Sequence, residues 1–75
     1  MTARHPPLTP VKSSAMKAMH YDPETKALHV QFPSGDVYVY DDVSHERAFA
    51  LEGSSSIGHY FGTEIKPHHL GRKVL

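Results

Sequence analysis

Apolar and polar residues alternate most cleanly between Ala27 and Phe32. There Leu28, Val30 and Phe32 would share one face of an extended segment, and Ala27, His29 and Gln31 the other. Such a period of two marks a half-buried strand. It resumes after Pro33-Ser34-Gly35-Asp36 in Val37-Tyr38-Val39-Tyr40, so residues 26–33 and 36–41 are predicted to form a β-hairpin. Loop length decides which side chains face inward. A two-residue Ser34-Gly35 turn pairs Phe32 with Val37 and Val30 with Val39, placing the valines in the core and Tyr38 and Tyr40 on the outer face with His29 and Gln31. A three-residue turn slips the register by one and buries the tyrosines instead.

Upstream, residues 13–21 read as a first strand, with a short helical turn as the alternative. Met16 and Met19 are three apart and share a strand face only across a β-bulge. Asp22-Pro23-Glu24-Thr25 supplies the following turn, with Pro23 pre-set for its second position. Downstream, Ser44 is a helix N-cap preceded by Asp41 and Asp42, whose charge suits a helix N-terminus. A helix over 44–52 then carries Ala48 and Leu51 on its apolar face, with Phe49 able to join them, and stops at Gly53. A second helix, 55–65, starts from the serines at 54–56 and repeats Ile57, Phe61 and Ile65 at i, i+4 and i+8. Gly58 and Gly62 weaken it by about 1 kcal/mol each relative to alanine, which points to close backbone approach.

These elements predict an α+β domain: a three-stranded antiparallel meander with two helices packed on one face. Its expected core is Met16, Leu28, Val30, Phe32, Val37, Val39, Leu51, Ile57, Phe61 and Ile65. Pro6, Pro7 and Pro10 make residues 1–11 a flexible arm, 12–66 form the domain, and 67–75 read as a tail able to dock through Val74 and Leu75.

Composition narrows the function. A 75-residue chain has little length to spare for an enclosed active site, and a monomer is expected. The chain has no cysteine, no run of about 18 apolar residues, and no apolar signal-peptide core in residues 1–12, so a cytoplasmic protein off the membrane is expected. Formal charge is zero but unevenly spread. Residues 1–21 and 65–75 each hold three bases and no acid, whereas 22–64 hold eight acids against two bases, a net of −6. Seven histidines add positive charge near their reference pKa of about 6.5. None lies at the i, i+4 spacing of a helical zinc pair, so neither a metal nor a cofactor is expected. Ser56 and His59 can be drawn as nucleophile and base, but serine before an apolar run is better read as a helix cap, and no catalytic residue is expected.

Taken in order, Val11-Lys12-Ser13-Ser14, Tyr21-Asp22, Leu28-x-Val30-x-Phe32-x-x-Gly35, Tyr38-x-Tyr40, Val43, and Ser56-x-Gly58-x-Tyr60-Phe61 with Ile65 resemble the KTSC domain over about residues 12–66. The resemblance implies a small module found alone or at the C-terminus of some lysyl-tRNA synthetases, with RNA as the suggested ligand. The chain departs from that pattern at His20, Ser44 and Gly62, and at Val39, where a basic residue is common.

Two binding readings follow. In the first, Tyr38 and Tyr40 stack unpaired RNA bases, His29 and Gln31 read base edges, and Lys12, Lys17, Lys66, Arg72 and Lys73 meet phosphates. The acidic centre argues against it. In the second, the domain is an adaptor or regulator, such as a phage-encoded one, docking on a larger machine such as a tRNA synthetase or RNA polymerase. A third possibility leaves the activity to the two basic ends.

Overall fold

The computed structural model describes residues 8–74. Its strands run β1 (Thr9–Pro10), β2 (Ala18–Asp22), β3 (Ala27–Gln31), β4 (Val37–Tyr40) and β5 (Gly71–Lys73), paired antiparallel in chain order within one sheet. Between β4 and β5 come helix α1 (His45–Glu52) and helix α2 (Ile57–Tyr60), the latter continued by a π-helical turn over Phe61–Ile65. The class is α+β, as the hydrophobic pattern predicts, but the sheet has five strands rather than three.

The two extra strands come from segments read as arm and tail. Pro10 fits because β1 is an edge strand, where a residue without an N–H interrupts no ladder. β5 is held by paired groups. Arg72 donates from Nε and Nη2 to both oxygens of Asp41, at 3.0 and 3.2 Å. His69 Nδ1 lies 3.0 Å from the Asp41 carbonyl, Lys73 Nζ lies 3.5 Å from Asp36, and the Val74 amide donates to Val37 at 2.8 Å. Asp41 thus fastens the returning chain at two points.

The Arg72 guanidinium, chiefly by hydrogen bonding, holds the Asp41 carboxyl below its ordinary range. A depressed folded pKa contributes stability that is present above the unfolded value and lost as pH falls through the folded one. In this exposed pair the loss falls below about pH 3.9. Arg72→Ala should return the Asp41 titration, followed by carboxyl ¹³C NMR, towards that reference value and lower amide protection in β5 at neutral pH.

The hairpin between β3 and β4 resolves the register. Leu28 faces Tyr40, Val30 faces Tyr38 and Gln31 faces Val37, which leaves the three-residue loop Pro33-Ser34-Gly35. The Phe32 amide bonds Asp36 and the Gly35 amide bonds Phe32, while Gly35 takes a φ of 96°, a conformation open to glycine at little cost. The alternation therefore puts Leu28, Val30, Tyr38 and Tyr40 on the helix-covered face. Val37 and Val39 are buried as expected, but on the opposite side with His29 and Gln31.

The first strand starts later than expected, at Ala18. Ser13 Oγ accepts the Ala15 amide, a local bond that competes with strand pairing. Ala18 lies opposite Gln31, and the Lys17 amide also bonds the Gln31 carbonyl, so two residues oppose one in the manner of a bulge. Met16 and Met19 consequently both enter the core. Lys26, expected in β3, instead has a φ of 59° and ends the preceding turn, in which Asp22 Oδ1 accepts the Glu24 and Thr25 amides.

Ser44 caps α1, its Oγ accepting the Arg47 amide at 3.2 Å. Ala48 and Leu51 turn inward to meet Met16, Met19, Leu28, Val30, Tyr40, Val43, Phe61 and Ile65 in the main core. Phe32 and Ile57, expected in that core, pack at its margin and are partly buried. In the π turn the Lys66 amide reaches back five residues to Phe61, and Phe61 and Ile65 are both buried.

Candidate binding surfaces

Tyr38 and Tyr40 are built into an aromatic cluster under the helices. Tyr40 is 5% exposed and meets Phe61 edge to face at 5.2 Å; Phe61 meets Phe32 at 5.9 Å, and Phe32 meets Tyr38 at 5.6 Å. Edge-to-face pairs at these spacings are the arrangement that aromatic quadrupoles favour. Burial, then the neighbouring Tyr38, raises the Tyr40 phenol above its ordinary pKa. The proposed stacking platform is corrected for Tyr40, because a base cannot stack on a ring enclosed by the core, while Tyr38 is partly buried at the edge of that core.

The other members of that RNA site are dispersed. His29 and Gln31 lie across the sheet from the tyrosines, where Gln31 Nε2 donates to Gly35 and His29 lies beside His20. Arg72 and Lys73 are engaged with Asp41 and Asp36. Lys12, Lys17 and Lys66 are exposed and form no ion pair among the described residues.

Two concave surfaces contrast in their lining. The first is an apolar groove of about 210 Å³ between the β2–β3 turn and α1, walled by Tyr21, Pro23, His45, Ala48, Phe49 and Glu52. Its frame is tied together locally. Tyr21 donates its hydroxyl to the Val43 carbonyl at 2.5 Å, His45 Nε2 sits 3.0 Å from the Pro23 carbonyl, and the Tyr21 and His45 rings meet edge to face. Desolvation, with Asp22 and Asp42 adding to it, raises the Tyr21 phenol. Phe49 does not join the inner face of α1; it is 75% exposed at the groove's rim. Helical geometry gave the signal: at about 100° per residue, Phe49 lies about 200° around the helix from the buried Leu51.

The second is a polar cleft of about 410 Å³ between the Lys12–Ala15 loop and the start of α2. Ser56 takes the N-cap position there, but its side chain makes no capping bond, and its own amide donates to Ser54 Oγ. His59 is exposed and no hydrogen bond joins it to Ser56 among the described residues. The same residues contain no group of three His, Cys, Asp or Glu side chains placed to hold a metal ion, and no helix long and apolar enough to cross a membrane.

A family model described as the KTSC domain matches residues 12–69. The chain is similar to an uncharacterized protein of Stutzerimonas stutzeri, 39% identical over 59 residues that make up 79% of this chain and 83% of that one. It also resembles part of the lysine–tRNA ligase of a Nostoc species, at 37% identity over 60 residues, which is 80% of this chain and 11% of the ligase. The crystal structure of a KTSC domain protein from Yersinia pestis superposes with a TM-score of 0.86 at 30% identity, covering 92% of this chain and 97% of the other.

Proposed function

The chain belongs to the KTSC family, and from that premise we propose that it is a small non-catalytic module that binds a protein segment in the groove beside Phe49. Phe49 carries this reading: a large aromatic side chain left in solvent at the edge of an apolar groove, in a chain whose other phenylalanines are packed inward. Its occupant is a segment presenting one apolar side chain among Lys or Arg. Charge supports that choice, because Glu52 lines the groove while Asp22, Glu24 and Glu46 flank its other lining residues in the chain. So does size, since the groove, at about 210 Å³, is smaller than the pockets of about 300–1,000 Å³ that hold drug-sized ligands and suits a single side chain. The relatives fit an accessory role, one being a small protein nearly covered by this chain and another a ligase of which the similar segment is a minor part.

A peptide library selected on the full chain, with the enriched peptides then measured on Phe49→Asp, tests this. Enriched peptides should carry an aromatic or aliphatic residue beside Lys or Arg. The variant should remain folded, because the side chain is exposed, yet bind these peptides about 30-fold more weakly, the scale of an aromatic hot spot worth about 2 kcal/mol. Peptides that bind the variant and the parent equally would sink the reading.

A further inference from the structure

Two of the runs singled out in the sequence, Lys12-Ser13-Ser14 and Ser56-Ile57-Gly58, lie more than forty positions apart and meet across the polar cleft. The contact between them is tight: a Cβ on Gly58 would fall 2.7 Å from the Ala15 Cβ and 3.6 Å from Ser13 Oγ. A side chain at 58 would therefore push the two loops apart, and glycine lets their hydroxyls approach one space.

The chemistry of that space is uniform. Lys12, Ser13, Ser14, Ser55, Ser56 and His59 supply its polar lining, and no carboxylate is among the lining residues although residues 22–64 are strongly acidic. Ser13 Oγ is occupied as an acceptor for the Ala15 amide, which leaves its proton free to point outward. Among the described residues, the hydroxyls of Ser14, Ser55 and Ser56 make no hydrogen bond, and Lys12 has no carboxylate partner, unlike Arg47, Arg72 and Lys73. An unneutralised ammonium with several hydroxyl donors in an acid-free concavity suits a tetrahedral oxyanion.

We infer that this cleft binds a phosphate group, carried either by a nucleic-acid strand or by a small phosphorylated molecule. The site is separate from the Phe49 groove. It gives a phosphate contact a place independent of the tyrosines, using Lys12 alone of the five bases assigned to phosphates from sequence.

The test is an amide-resolved NMR titration of the full chain with inorganic phosphate and, separately, with a single-stranded oligouridylate at low salt. Shifts should concentrate in residues 12–15 and 55–59. Lys12→Ala should weaken binding at least fivefold and reduce the salt slope for the oligonucleotide by about 0.7, the contribution of one phosphate contact on a single strand. Lys66→Ala should leave both unchanged. Tighter binding of the oligonucleotide at matched phosphate concentration identifies a phosphodiester chain as the carrier, whereas saturable binding of inorganic phosphate that competes with the oligonucleotide identifies a small phosphorylated ligand. Either result upholds the site. It is overturned if neither probe shifts these residues, or if Lys12→Ala binds both as the parent does.

Discussion

Tyr40→Ala should remove a large share of the domain's folding stability. The ring is 5% exposed, packs edge to face on Phe61, and sits in one cluster with Leu28, Val43, Leu51 and Ile65. Truncating a buried aromatic to alanine costs about 3–5 kcal/mol, through lost burial and the cavity left behind. A 75-residue domain has a total of only roughly 4–11 kcal/mol to lose. Tyr38→Ala should cost less, about 1–2 kcal/mol, because Tyr38 lies at the edge of the core and is partly exposed. Tyr40→Phe keeps the ring and should cost under about 1.5 kcal/mol. Urea denaturation of the three variants separates packing from recognition. Exposed stacking residues would show small stability losses at both positions, each within about 0.5 kcal/mol.

Gly71→Ala is the second large effect expected. Gly71 lies directly opposite Tyr40 in the β4–β5 pair, and the tyrosine ring covers it. An added Cβ would stand 2.5 Å from Tyr40 Cε2 and 2.6 Å from Cζ, well inside contact distance. An aromatic ring laid across an edge-strand glycine is a recognised stabilising pair, and here the ring is buried against Phe61. Either it moves off Phe61 or β5 leaves the sheet. Overpacking of this kind costs about 1–3 kcal/mol. Hydrogen exchange should show the loss at the Val74 amide, which otherwise donates to Val37. An unchanged denaturation midpoint and unchanged Val74 protection would show that this segment is a tail after all.

Local chemistry in the sequence carried much of this fold. The period-two run through Leu28 and Val30, the Asp22 turn, the Ser44 cap and the buried pair Phe61 and Ile65 each follow from neighbouring residues alone. What local pattern did not decide was set by distant partners. Whether Tyr40 faces in or out depends on a one-residue difference in a loop, and the inward register is accompanied by Gly71 and Phe61, both more than twenty positions away. β5 was missed because a three-residue edge strand has too little alternation to be read, and its fastening to Asp41 spans thirty-one residues. The binding surfaces were hidden for the same reason. The groove joins Tyr21 and Pro23 to α1, and the cleft joins Lys12 to Ser56, neither pair being linked by spacing in the chain.

One reading of the sequence puts binding on the tyrosines, whereas the packed molecule leaves Phe49 exposed beside an apolar groove. The most direct test is a residue-by-residue amide titration of the full chain with a peptide selected on it. Shifts confined to Tyr21, His45, Phe49 and their neighbours, and lost in Phe49→Asp, are the predicted result. Shifts centred on His29, Gln31 and Val39, or on Tyr38, that persist in Phe49→Asp would contradict it.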